Sequence, residues 1–159
     1  MIIDFCVHPA CIWDIPETLK VRIKQFYPME YGKSLKFTEE ELIAEMDIAG
    51  TDIGVVRAQN SGGIGYRAPN EDVMALIKRH PDRLVGLGSL DPTQGTNKLT
   101  EGSVKASIDE FERIMEMGFK GLIFYPQYYH AYPNDELLYP LYEKVVEYDV
   151  PIAFIAYWS

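Results

Sequence analysis

Cysteine is scarce, basic residues are outnumbered, and no apolar run is long. There are two cysteines, Cys6 and Cys11, in 159 residues. Their gap is too wide for C-x-x-C and no second pair follows, which excludes a zinc-ribbon or disulfide-built scaffold. Lys and Arg number 15 against 24 Asp and Glu, a net charge of −9. That balance argues against nucleic acid and anionic membrane as partners, since both require a basic face. No apolar stretch approaches the roughly 18 residues of a membrane span, and no basic segment leads into an apolar leader core. The expected location is a reducing, cytoplasmic one. The glycine-rich stretch Gln59-Asn60-Ser61-Gly62-Gly63-Ile64-Gly65 lacks the Gly-Lys-Ser/Thr ending of a phosphate loop and the Rossmann spacing.

What is present is globular material: 47% apolar and 13% aromatic residues, enough for one domain over residues 1–159 with a real core. The opening Met-Ile-Ile-Asp-Phe-Cys-Val-His-Pro reads as a buried strand stopped by Pro9. A helix is expected from Pro16 to Tyr27. Thr38 and Glu41 form a capping box ahead of Leu42, Ile43, Met46 and Ala49, and Gly50 ends that helix. Residues 53–58, 84–90, 121–125 and 151–158 read as further strands. Between them lie helices opened by Asn70, by Ser103 and by Tyr139-Pro140, the last with Leu141, Val145 and Val146 inward. Short apolar strands alternating with helices predict an α/β fold with a parallel sheet and right-handed crossovers.

Chemistry-bearing residues gather at the ends of these strands, where sites of parallel α/β folds collect. A side-chain period of two puts Asp4, Cys6 and His8 on one side of the first strand. Arg57 ends the second strand, where it could form a bidentate fork with a carboxylate; the plainer reading is a salt bridge. Asp91-Pro92 ends the third. Tyr125 ends the fourth, and the loop Gln127-Tyr128-Tyr129-His130-Ala131-Tyr132-Pro133 could line a pocket or pack over the sheet end. His80, before a proline at a helix C-terminus, reads as structural.

Taken together, these stretches resemble the amidohydrolase-related proteins, in the branch that contains aminocarboxymuconate-semialdehyde decarboxylase and the resorcylate decarboxylases. The resemblance is carried by the opening nine residues, by Asp82-Arg83-Leu84-Val85-Gly86-Leu87-Gly88-Ser89-Leu90-Asp91-Pro92, and by Gly118-Phe119-Lys120-Gly121-Leu122-Ile123-Phe124-Tyr125-Pro126-Gln127. Tyr139-Pro140-Leu141-Tyr142-Glu143-Lys144 and Val150-Pro151-Ile152 follow in order. It implies a (β/α)₈ TIM-type barrel of which about five strands are present, the last three strand–helix units lying outside the chain. It also implies a divalent metal, zinc or manganese, acting as Lewis acid in hydrolysis or non-oxidative decarboxylation of a small carboxylated substrate. On this resemblance Cys6 and His8 take the metal positions; from their places at the strand ends, His130 and Asp4 are the catalytic candidates and Arg57, Asp91 and Tyr125 the candidates to contact the substrate.

The sequence departs from the family where its ligands stand. Cys6 replaces the first His of the opening pair, Ile155 stands where the fifth strand carries a His, and Tyr125-Pro126 replaces a His-Pro. A catalytic zinc needs three protein donors. The alternative is therefore a metal-free, non-catalytic subunit or small-ligand-binding relative that pairs with another chain to complete the barrel. The open first and last strands would be covered by a longer natural chain, by another chain that completes the barrel, or in a homodimer of an open α/β sheet; the last two predict a homo- or hetero-oligomer.

Overall fold

A computed structural model describes residues 1–9, 11–12, 21, 38–60 and 67–155. The helix expected over Pro16–Tyr27 lies outside the described residues except at Val21, as do most of the glycine-rich stretch and the last four residues. Five parallel strands form one sheet: β1 (Ile3–Val7), β2 (Ile53–Arg57), β5 (Leu84–Ser89), β6 (Leu122–Phe124) and β7 (Ile152–Phe154), in that spatial order. Strand order equal to chain order, with helices between, gives a curled half-barrel, the opening half of a (β/α)₈ barrel. Two short strands, β3 (Gln59–Asn60) and β4 (Arg67–Ala68), make an antiparallel pair beyond β2, where a loop was expected.

Helices Glu39–Ala49, Asn70–Arg79, Glu101–Met117 and Tyr139–Glu147 connect the main strands. The first is closed by the expected reciprocal box: Glu41 N–H donates to Thr38 Oγ1 at 3.2 Å and Thr38 N–H to Glu41 Oε2 at 2.7 Å. Gly50 ends it at φ +69°. Two expected caps differ. Thr100 caps the third helix and Ser103 is its partner three residues on, because Ser103 Oγ reaches back to Thr100 N–H at 3.0 Å. Asn70 does not cap the second. Its amide is buried and clasps β5, donating to Ser89 O at 2.8 Å and accepting from Ser89 N–H at 2.9 Å. The stretch after Pro126 is a four-residue helical turn, Pro126–Tyr129, rather than a loop.

The core lies between sheet and helices. Leu76, Phe111, Ile114, Leu122 and Phe124 are fully buried, each worth about 1.5–3 kcal/mol of apolar transfer. Gly86 and Gly88 let the helices approach β5. A Cβ on Gly88 would fall 2.2 Å from Ile114 Cγ2, and one on Gly86 2.4 Å from Ile77 Cδ1. These close approaches identify the outward face: Gly54 and Val56 are in register with Leu84 and Gly86 and point to the helices. Arg57, one residue on, points to the concave face. Val146, expected inward, is 76% exposed, since Leu141 and Val145 already fill the buried stripe of the last helix.

β1 corrects the sequence reading twice. It lies at the sheet edge, as expected, but Ile3 and Phe5 are more than half exposed there rather than buried. Its register with β2 also slips. Asp4 pairs with Gly54 but Val7 with Val56, so three residues of β1 oppose two of β2. The extra residue breaks the expected file of Asp4, Cys6 and His8: Asp4 is in register with the outward set, and its Oδ1 accepts from Cys6 N–H at 2.9 Å. His8 follows outward-facing Val7 and returns to the concave side.

Candidate active site

The C-terminal ends of β1, β2 and β6 bring three of the expected residues together. Arg57 is buried, 4% exposed. Its Nη2 donates to the ring of His8, facing Nε2, with Nδ1 3.2 Å away. Its Nη1 is buried and has no hydrogen-bond partner among the described residues. A guanidinium carries its charge at every ordinary pH and has only donors. His8 must therefore be the acceptor, which requires a neutral imidazole. Burial, and then the Arg57 charge, lower His8 from 6.5 to about 4, against a smaller upward pull from Asp4. His8 nevertheless keeps much of its surface exposed to solvent. Solvent tempers the burial contribution, and the Arg57 contact is the contribution that the geometry fixes.

Tyr125, just past β6, reaches the same end. Its hydroxyl donates to Ala58 O, next to Arg57, at 3.2 Å, and its ring stacks on Tyr128 with centroids 5.7 Å apart. Tyr129 is fully buried and donates to Asn60 O at 3.3 Å. These tyrosines pack over the sheet end and tie β6 to the residues after β2, the plainer of the two expected uses. Burial holds the Tyr129 hydroxyl well above its usual range.

The remaining candidates stand apart. Asp91 is committed to its own turn: Oδ1 accepts from Thr93 N–H at 2.8 Å and Thr93 Oγ1 at 2.6 Å, and Oδ2 from Gly95 N–H at 3.0 Å. It faces a cleft of about 560 Å³ whose lining includes Arg67, Asp109 and Arg113. His130 is exposed at φ +52°, capping the Pro126–Tyr129 turn, and its ring makes no hydrogen bond or ion pair among the described residues. Cys6 is an exposed free thiol, and Cys11 is free as well. His80 is structural: its Nε2 lies 2.6 Å from Glu39 Oε1, beside the Arg79–Glu39 pair. Gln127 escaped the sequence reading. Its amide oxygen and nitrogen are both buried without a partner among the described residues, two residues past Tyr125. A polar side chain directly after a strand-ending proline was the available signal.

These donors do not by themselves fit a catalytic metal. Among the described residues no three His, Cys, Asp or Glu side chains converge on one point. The lone pair that His8 would offer is taken by Arg57, whose fixed charge opposes a second cation there. Ile155 N–H donates to Phe124 O at 3.0 Å and its side chain packs against the core, with no donor to give.

The Amidohydrolase family model matches residues 19–157. The chain belongs to the amidohydrolase family. This amidohydrolase-family chain is similar over 96% of its length to 54% of an uncharacterized TIM-barrel protein, Bb4693, of Bordetella bronchiseptica, at 27% identity and a TM-score of 0.68. It also superposes on 2,6-dihydroxybenzoate decarboxylase from Rhizobium (18% identity, TM-score 0.60, 95% of this chain and 47% of that one). A third likeness is to 5-carboxyvanillate decarboxylase of Novosphingobium aromaticivorans complexed with manganese (21% identity, TM-score 0.58, 83% and 40%). The last two bear on the fold alone. No curated protein matches the chain. The chain spans about half the length of these solved structures. Among the described residues no helix is long and apolar enough to cross a membrane.

Proposed function

We propose that the strand ends around Arg57 and His8 are the ligand site of an amidohydrolase-type enzyme that hydrolyses or decarboxylates a small carboxylated substrate. The observation that supports this most is Arg57 Nη1, a buried cationic donor with no partner among the described residues. Buried donors are rarely left unpaired, and a carboxylate oxygen is the natural complement of a guanidinium. His8 holds the guanidinium in place by accepting from Nη2. Tyr125 closes the floor through its bond to Ala58 O. His130, exposed after β6 and apart from the Arg57–His8 pair, is proposed as a group that moves a proton once substrate is bound, and Asp4 acts on His8 through its charge. Asp91 receives no role while it holds its turn. A zinc or manganese ion bound through Cys6 and His8 would need donors beyond the described residues and release of His8 from Arg57.

A panel of small aromatic and aliphatic carboxylates, screened for carbon dioxide release and for hydrolysis, tests the reading. Arg57→Lys should lower kcat/KM on any accepted substrate by roughly a hundredfold, the scale of losing one arm of a buried charged pair. Turnover unaffected by that change would reject the site.

A second reading, a non-catalytic relative that completes its barrel with another chain, is favoured by one observation. Ile3 and Phe5 on β1, and Phe154 on β7, are about half exposed on strands that pair on one side only among the described residues. Open apolar strand edges recruit strands. Sedimentation of the purified chain decides it: an oligomer lacking turnover supports this reading, and a monomer removes it.

A further inference from the structure

The donors at the strand ends disagree with a metal-centred site, and the disagreement itself is informative. Cys6 and His8 are the only donors of the expected ligand set on β1 and just after it, and no third joins them among the described residues. His8 is turned onto a guanidinium that cannot lose its proton. That guanidinium is almost fully buried and keeps Nη1 unpartnered among the described residues.

We infer that the cation of this site is the Arg57 guanidinium, which seats the carboxylate of a small monoanionic ligand on Nη1 without a metal ion while His8 holds Nη2. The inference rests on the reading of these strand ends as a ligand site, and adds which group supplies the positive charge. Each side chain has its own task. β2 ends at Arg57 on the concave face, so the guanidinium is presented from a rigid strand rather than a loop. His8, arriving from β1, accepts from one arm and stops the head group from rotating. The other arm is left for an oxygen. A dry, fixed donor of this kind binds an anion more strongly than a solvated surface arginine, because it is already desolvated and oriented. A divalent ion at His8 would compete with Arg57 for the same lone pair.

The test uses the full chain, dialysed against EDTA and checked by elemental analysis for absence of metal. Sodium benzoate is the probe, and neutral benzamide is its isosteric control. Calorimetric titration should show benzoate binding to the metal-free protein and no binding of benzamide. Arg57→Met should weaken benzoate binding at least roughly tenfold, with Arg57→Lys intermediate. Added Zn²⁺ or Mn²⁺ should leave the benzoate affinity unchanged. Should Arg57→Met fail to fold by circular dichroism, the wild-type protein still answers: the ¹⁵N–¹H resonances of the Arg57 head group should move on benzoate addition and not on benzamide addition. Benzoate binding only after metal is added overturns the inference while leaving the ligand-site reading intact. Undiminished binding in a folded Arg57→Met, or unmoved Arg57 resonances, overturns it too. No benzoate binding with or without metal overturns both.

Discussion

Arg57 reaches from the end of β2 to the ring of His8 just past β1, so two neighbouring strands are joined at their C-terminal ends by a donor that is always charged and an acceptor that must be neutral. The pair has a pH consequence. The folded imidazole sits at about 4 against an ordinary 6.5. Between those values the unfolded chain takes up a proton that the folded chain refuses. Stability from this group is complete above about 6.5 and is lost as pH falls towards 4. Imidazole NMR titration of the wild type should place His8 near 4. In Arg57→Met the midpoint should rise some of the way back, since burial remains and the charge is gone. A wild-type His8 that titrates at its ordinary value would show that the contact does not form in solution.

Much of the fold was legible in the sequence because its signals are local. Alternating apolar strands and capped helices gave the order of elements, and Thr38 with Glu41 marked a helix start that the structure reproduces. Long-range bonds, and which of two candidate residues acts as a cap, were not legible. Thr100 and Ser103 are both good capping residues, and only the geometry shows which of them is the cap. Asn70 looked like a cap because Asn usually is one there, yet its partner is Ser89 in another strand. At the candidate site, Arg57 was identifiable as a cation ending a buried strand. Its partner was not, because nothing in the sequence pairs residue 8 with residue 57. The register slip in β1 was equally invisible, since the side-chain alternation of Asp4, Cys6 and His8 assumes a strand with no extra residue.

The Asn70–Ser89 clasp should be worth more than its place in a helix's first turn suggests. Both bonds are buried, and removal of the amide strands a backbone N–H and a carbonyl of β5. Asn70→Ala should cost about 2–3 kcal/mol in urea denaturation. Asn70→Asp should cost at least as much, because a carboxylate can accept from Ser89 N–H but faces Ser89 O with no donor. An Asp variant as stable as wild type would mean that the clasp does not bind in the direction described.

Glu39 links the start of one helix to the end of the next, accepting from Arg79 Nη2 at 2.6 Å and meeting His80 Nε2 at 2.6 Å. The Arg79 hydrogen bonds, above all, hold its carboxyl below 4.5. A depressed carboxylate contributes stability above its ordinary value and loses it as pH falls through the depressed one. Melting temperature should therefore fall less steeply below pH 4.5 in Glu39→Gln than in wild type. At neutral pH the variant should lose little, as exposed pairs are worth about 0–1 kcal/mol. Parallel acid limbs for the two proteins would assign the acid sensitivity elsewhere.

The approach of the Glu101–Met117 helix to β5 depends on Gly88, because a Cβ there would lie 2.2 Å from Ile114 Cγ2. Strand and helix backbones are both fixed by their neighbours, so Gly88→Ala cannot be absorbed by a rotamer change alone. It should cost about 1–3 kcal/mol through overpacking. Ile114→Ala alone should cost about 2–5 kcal/mol by leaving a cavity. The double variant Gly88→Ala/Ile114→Ala should be more stable than the sum of the two losses, because the new methyl occupies space that the shortened side chain vacates. A coupling of roughly 0.5–3 kcal/mol in that direction is expected from a double-mutant cycle. Strict additivity would mean that the helix does not pack on β5 at Gly88, and with it would go the outward-face assignment that places Arg57 on the concave side.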